Sequence, residues 1–248
     1  MDNGNRKRSD DIVRSLELAE SRLGRFPHPG PGRPRPERMA DRVEHTLLRA
    51  GAGAGDLERL CAEARAGRFR AVCVLPRDVA AARGLLDGSG VLVVTVVNFP
   101  LASLPPEMAA AETRALAAAG ADEIDMVADL RALRSGEVEG ARDGVAMVVE
   151  AAAGRPVKVI LETGLLEPGQ IATGCAAALA GGAAFVKTST GFGPRGASVE
   201  DIEIMRLCVG ERLGIKASGG IRDRAFAERL VAAGADLIGT SAGPAVAG

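Results

Sequence analysis

Eight short β-rich runs separated by alanine-rich helical patterns, in a chain of 248 residues, predict an α/β fold closed as a single (β/α)8 barrel. Alternating strand and helix is the pattern of repeated βα units around a parallel sheet. Eight units in about 210 residues suit closure better than an open sheet, and barrels of this kind run to about 250 residues as one domain. The third observation is a repeat. The segments A-A-G-A-D-E-I-D, A-G-G-A-A-F-V-K and A-A-G-A-D-L-I-G each pass from a helix end through a glycine into a strand.

The first element expected is a short helix over Asp10–Leu23, where Ile12, Val13, Leu16, Ala19 and Leu23 fall at helical spacing behind a cap at Ser9. From Phe26 to Pro36 the chain reads F-P-H-P-G-P-G-R-P-R-P, which sustains neither a helix nor a central strand and predicts extended polyproline or disorder. Residues 1–38 are therefore expected to form an N-terminal extension, helical then proline-rich, and residues 39–248 the barrel domain. Strands are expected at Val43–Leu47, Ala71–Leu75, Val91–Val97, Glu123–Val127, Val157–Leu161, Ala184–Thr188, Gly214–Ala217 and Asp236–Thr240. The repeat glycines Gly120, Gly182 and Gly234 suit the left-handed cap that ends a helix before a strand.

Five residues after those glycines stand Asp125, Lys187 and Gly239, at equivalent points of the fourth, sixth and eighth strands. Alternate strands of a barrel fill the same interior layer, so Asp125 and Lys187 are expected to point inward together near the C-terminal mouth.

Composition narrows the function classes. Apolar residues make up 47% and charged residues 25%, with a formal net charge of −1. That balance suits a soluble globular protein and gives no reason to expect a nucleic-acid or anionic-membrane partner. Cys61, Cys73, Cys175 and Cys208 are widely spaced and form no C-x-x-C pair, so they read as reduced, mostly buried thiols. His28 and His45 are the only histidines. A histidine-rich metal site is excluded by that count, no metal is expected, and acid–base chemistry is left to Lys, Asp or Glu. Arg6, Lys7 and Arg8 are followed by a charged amphipathic stretch rather than an apolar one, and no window reaches about 18 apolar residues. A cytoplasmic location is the expectation.

Lys187 ends the run Ala184-Phe185-Val186, and Lys216 follows Gly214-Ile215, which puts two lysines on adjacent strands of an apolar barrel. A strand lysine is ordinarily solvated or snorkelling. An ε-amine is nucleophilic only when unprotonated, and desolvation together with a second cation favours the free amine, as in Schiff-base lysines. Asp125 would then shuttle protons directly or through water. The alternative is a buried ion pair that only stiffens the barrel.

A second group follows the last two strands: Ser218, Gly219 and Gly220, then Gly239, Thr240 and Ser241. Barrels frequently bind phosphate there through backbone N–H groups, although Ser-Gly and Gly-Thr-Ser are also ordinary turn residues. The loop Ser189–Gly196 follows Lys187 directly and could close over substrate, with Thr190 and Gly191 near the phosphate and Arg195 adding charge. The alternative is a long loop whose glycines only permit its turns. Cys73 reads as core, and Glu162 as a residue of the mouth or an anchor for neighbouring loops.

These runs taken together carry a resemblance: V-E-H-T-L-L, A-V-C-V-L-P, V-V-N-F-P-L-A, G-A-D-E-I-D-M-V, K-V-I-L-E-T-G-L-L, F-V-K-T-S-T-G-F-G-P, I-K-A-S-G-G-I-R and I-G-T-S-A-G. From residue 39 onward the chain resembles the deoxyribose-phosphate aldolase family. The resemblance implies a TIM barrel that reversibly cleaves 2-deoxy-D-ribose 5-phosphate to D-glyceraldehyde 3-phosphate and acetaldehyde, without metal or organic cofactor, as a homodimer or larger homo-oligomer. It also implies that Lys187 forms the Schiff base and that Lys216 and Asp125 are its proton-transfer partners. The chain departs from the family at Glu44, where Asp is usual, at Arg49-Ala50 in place of Lys-Pro, at Ala102 and Arg195 in place of glycines, and in having no tyrosine. Two other readings compete: an aldolase or transaldolase for another phosphorylated sugar, and a non-catalytic phosphosugar-binding barrel.

Overall fold

Strands that are buried on both faces need cover on both faces, and parallel strands need a partner on each edge; eight such strands meet both demands by closing on themselves. The computed structural model, which describes residues 3–24 and 36–248, shows that closure. Its strands are β1 (Val43–Leu47), β2 (Ala71–Val74), β3 (Leu92–Val97), β4 (Glu123–Val127), β5 (Val157–Ile160), β6 (Phe185–Lys187), β7 (Gly214–Ser218) and β8 (Leu237–Thr240). All pair in parallel, each with the next in the chain, and β8 closes on β1. The fold is the (β/α)8 barrel that the alternation predicts. Strand ends differ from expectation by at most one residue, and only β6 differs at both ends, where the chain leaves the sheet straight after Lys187 to begin a long loop.

The helices between the strands are α2 (Ala54–Gly67), α3 (Val79–Leu85), α4 (Pro106–Ala118), α5 (Leu130–Ser135), α6 (Val138–Ala151), α7 (Pro168–Ala180), α8 (Val199–Val209) and α9 (Arg224–Ala232), with α10 (Gly243–Ala247) after β8. The repeat glycines act as expected: Gly120, Gly182 and Gly234 take φ of +103°, +80° and +118° just past the ends of α4, α7 and α9. That conformation penalises a Cβ, so glycine sets the phase of the strand that follows.

The N-terminal helix, α1 (Asn3–Leu23), begins six residues before the expected cap at Ser9. Arg6, Lys7 and Arg8 are good helix formers, and nothing between Asn3 and Ser9 stops the helix. It lies chiefly along α7, with Ile12 and Ala19 buried. Gly169 permits the approach, since a Cβ there would come within 2.7 Å of Ser15 Oγ. Most of the proline-rich run, residues 25–35, lies outside the described residues.

The main apolar core fills the space between barrel and helices. Inside the barrel, Ala71, Cys73, Val94 and Val96 make a small apolar patch on β2 and β3. The interior also holds a charged cluster, with Glu44, Glu123, Asp125, Lys158, Lys187 and Lys216 all buried. All four cysteines are buried free thiols.

Candidate active site

The sheet register brings the predicted residues together. Asp125 of β4 is level with Lys158 of β5, and Lys187 of β6 is level with Lys216 of β7. In-register residues of adjacent strands face the same way, here inward. Asp125 Oδ2 accepts from Lys187 Nζ at 2.8 Å and from Lys216 Nζ at 2.7 Å, so the three residues chosen by spacing share one carboxylate oxygen.

Asp125 Oδ1 is taken by a residue that the sequence reading passed over. Lys158 Nζ donates to it at 2.8 Å and lies 2.7 Å from Glu123 Oε2 and 3.4 Å from Glu44 Oε1. Glu44 also accepts from Lys216, and Arg70 caps the cluster from below by pairing with Glu44 at 2.8 Å and with Glu123. The signal for Lys158 was present as a lone lysine inside V-K-V-I, but the repeat argument followed only the even strands.

Charge and burial set the protonation states. Burial alone pushes the Asp125 carboxyl up, yet Lys158, Lys187 and Lys216 outweigh it and hold Asp125 well below the usual carboxylate range. Burial lowers Lys187; Asp125 opposes that, Lys216 reinforces it, and the net result is an amine less basic than an ordinary lysine. Burial would also lower Lys216 and Lys158, but the carboxylates of Asp125 and Glu44, joined by Glu123 for Lys158, raise both. Glu123, which burial would raise, is brought down to about 2 by Lys158 and Arg70. At neutral pH Asp125 is thus a carboxylate, Lys216 an ammonium, and Lys187 the lysine most ready to lose its proton. Burial pushes the Cys73 thiol up, which fits a core residue rather than a nucleophile.

The third position of the repeat explains its glycine. A Cβ on Gly239 would lie 2.9 Å from Lys216 Cε and 2.9 Å from Ser218 Cβ, so Gly239 leaves the space through which Lys216 reaches Asp125.

Lys187 and Lys216 open onto a cavity of about 620 Å³ at the C-terminal mouth. Thr190, Gly191, Ser218, Gly219, Gly220, Gly239, Thr240 and Ser241 line the same cavity, so every residue expected to bind substrate or phosphate borders it, while Asp125 lies behind the lysines. Several hydroxyls are already engaged. Thr190 Oγ1 bonds Glu162, Ser218 Oγ donates to the Ser189 carbonyl at 2.8 Å, and Thr240 Oγ1 donates to the Ile221 carbonyl at 2.6 Å. Gly219 and Gly220 adopt φ of +89° and +76°, the left-handed turn in which consecutive backbone N–H groups form an anion-binding concavity. The wall also carries His45, Arg49, Arg59 and Arg222, none of which the sequence reading placed there.

The loop after β6 is fixed from two sides. Ala197 N donates to the carbonyls of Ser218 and Gly219, and Glu162, at φ +53° just past β5, accepts from Thr190 N at 3.2 Å. Glu162 therefore anchors the loop. Arg195 differs from expectation: its guanidinium bonds Asp201 at the start of α8 and the Thr163 carbonyl, because a buried carboxylate close in sequence competes better than an open cavity.

The chain matches the family described as DeoC/LacD family aldolase over residues 39–246. It is 46% identical over 204 residues to a deoxyribose-phosphate aldolase of Brevibacillus brevis, covering 82% of this chain and 92% of that one. It is 44% identical over 207 residues to that of Thermotoga maritima, covering 84% of each. Among solved structures, the tetrameric deoxyribose phosphate aldolase of Aeropyrum pernix superposes with a TM-score of 0.79 at 33% identity, covering 94% of this chain and 95% of that one. A buried, weakly basic lysine at a barrel mouth, its neighbours and this extent of likeness lead to one conclusion: the chain belongs to the DeoC/LacD aldolase family.

Proposed function

We propose that the protein is a Schiff-base aldolase that reversibly cleaves 2-deoxy-D-ribose 5-phosphate to D-glyceraldehyde 3-phosphate and acetaldehyde. The observation that carries this reading is the Lys187 amine, desolvated, beside a second ammonium and within 2.8 Å of the Asp125 carboxylate, opening onto a cavity. Lys187 Nζ adds to the C1 aldehyde of the open-chain sugar, and loss of water leaves an iminium. Removal of the C3 hydroxyl proton sends the electrons of the C2–C3 bond into that iminium, and glyceraldehyde 3-phosphate departs. The enamine left on Lys187 is protonated at C2, and hydrolysis releases acetaldehyde and the free amine.

Asp125, held as a carboxylate, accepts protons through water or through the lysines, and Lys216, held as an ammonium, donates them. The phosphate sits on the turn Ser218-Gly219-Gly220 and on Gly239, Thr240 and Ser241, with Thr190 and Gly191 opposite. Because the Thr190, Ser218 and Thr240 hydroxyls are engaged, backbone N–H groups are its principal donors. A homo-oligomer belongs to the same reading, supported by the tetrameric Aeropyrum pernix relative; light scattering of the purified chain tests it.

Product analysis tests the reaction. Incubation with 2-deoxy-D-ribose 5-phosphate should release glyceraldehyde 3-phosphate and acetaldehyde in equal amounts. Cleavage of a different phosphorylated sugar in preference, or binding without cleavage, overturns the assignment.

A further inference from the structure

Lys158 is fully buried, borders no part of the mouth cavity, and reaches into the barrel from β5 to three carboxylates. Stability alone does not account for it, since a buried ion pair is commonly matched or bettered by apolar side chains of similar volume. Its place in the charge count does.

The interior cluster holds four basic groups, Arg70, Lys158, Lys187 and Lys216, and three carboxylates, Glu44, Glu123 and Asp125. With Lys187 as a free amine, three cations face three anions. With Lys187 protonated, one positive charge is in excess in a medium that solvates it poorly. If Lys158 were apolar, the balance would reverse: the free amine would leave one uncompensated anion, and protonating Lys187 would restore neutrality.

The surroundings of Lys187 contain nothing else of comparable weight. Asp125 and Lys216 touch the cluster directly, Cys73 faces it from β2 as a neutral thiol, and the ring of Phe185 lies 5.9 Å from Lys158 Nζ. Of the ionisable groups of the cavity wall, Asp56, Arg59, Glu63, His45, Arg49 and Arg222, all but the buried His45 reach solvent, and five pair among themselves.

We propose that Lys158 is a positioning residue of the reaction: it fixes Asp125 through Oδ1 and supplies the one cation that makes the unprotonated Lys187 amine the electrically balanced state of the barrel interior. This deepens the Schiff-base reading and rests on it. The device needs no contact with substrate, and Glu123 is its counterweight.

The test is the pH dependence of acetaldehyde trapping on Lys187, by cyanoborohydride and peptide mapping, alongside kcat/KM, in the full chain. Lys158→Met should move the acid limb up by about one pH unit, because one anion is left over. Glu123→Gln should move it down, because one cation is left over. Lys158→Met/Glu123→Gln removes one charge of each sign and should return the limb to its wild-type position.

Opposite shifts that cancel in the double variant support the proposal, and a purely structural strut would not produce them. Unmoved limbs in both single variants overturn it. If Lys158→Met does not fold, the sign of the Glu123→Gln shift decides: a downward shift supports the proposal and an unmoved limb overturns it. Absence of any wild-type adduct on Lys187 overturns the Schiff-base reading itself, which distinguishes that failure from failure of the charge count.

Discussion

Replacing Asp125 by asparagine removes the one anion that three lysines share while nearly preserving its shape. In the native barrel Lys158, Lys187 and Lys216 donate to Asp125 at 2.8, 2.8 and 2.7 Å, and none of the four is more than 3% exposed. Each contact taken alone is worth about 6 kcal/mol at an effective dielectric of 20, but most of that is offset by the cost of desolvating the charges. Removing one partner of a buried pair costs about 3–5 kcal/mol in practice. Burial and Lys216 make Lys187 less basic than an ordinary lysine, so of the three it most easily relieves the unpaired charge by losing its proton, which points to the lower end. The expected loss is about 3 kcal/mol, or roughly 6–12 °C in Tm for a chain of this size. Turnover should fall by about 10²–10⁴, the usual contribution of a positioned acid–base group. Thermal or urea unfolding and steady-state cleavage measure both. Stability within about 1 kcal/mol of wild type together with cleavage within tenfold would refute the reasoning.

Three further outcomes follow from the same geometry. Lys216→Leu takes away the cation that shares Asp125 Oδ2 with Lys187 and leaves that oxygen to Lys187 alone, so the acid limb of kcat/KM should move up by about one unit; an unchanged pH profile contradicts the cation-pair argument. Gly239→Ala places a methyl 2.9 Å from Lys216 Cε, which should cost about 1–3 kcal/mol and depress kcat more than KM; a variant with wild-type kcat contradicts it. Glu123 is depressed in the folded state to about 2, so its stabilising contribution is fully present above its unfolded value near 4.5 and is lost as pH falls between the two. Glu123→Gln should accordingly lose part of the wild-type fall in stability over that window, as followed by urea unfolding from pH 5 to about pH 2.

The barrel was legible because the signal repeats. Strand and helix alternate eight times, and Gly120, Gly182 and Gly234 fix the same phase three times over, so an error at one strand end is corrected by its neighbours. The meeting of Asp125 with Lys187 followed from that phase and the alternate-strand rule, and Lys216 entered as the lone polar residue of an apolar strand. Lys158 met the same criterion in V-K-V-I and lies level with Asp125, but on an odd strand that the glycine repeat does not mark, and the register that sets it beside Asp125 comes from the closed sheet rather than from local pattern.

Glu44 stood out only as one methylene more than the aspartate usual in the family. Its partners Lys216 and Arg70 are 172 and 26 residues away, separations at which local pattern is silent. The engagement of Arg195 by Asp201 was hidden for a different reason. A cation six residues from a buried carboxylate is as readily a strut as a ligand, and only the fold decides which.

The central claim is that Lys187, the least basic lysine of the barrel interior, is the nucleophile that forms the Schiff base. Borohydride reduction in the presence of acetaldehyde, followed by peptide mass mapping of wild type and Lys187→Leu, tests it most directly. The account predicts one reduced adduct, on Lys187, lost in a variant that keeps its fold because leucine fills the same buried space. An adduct on Lys158 or Lys216 instead, no adduct on folded wild type, or substantial cleavage by folded Lys187→Leu would contradict it.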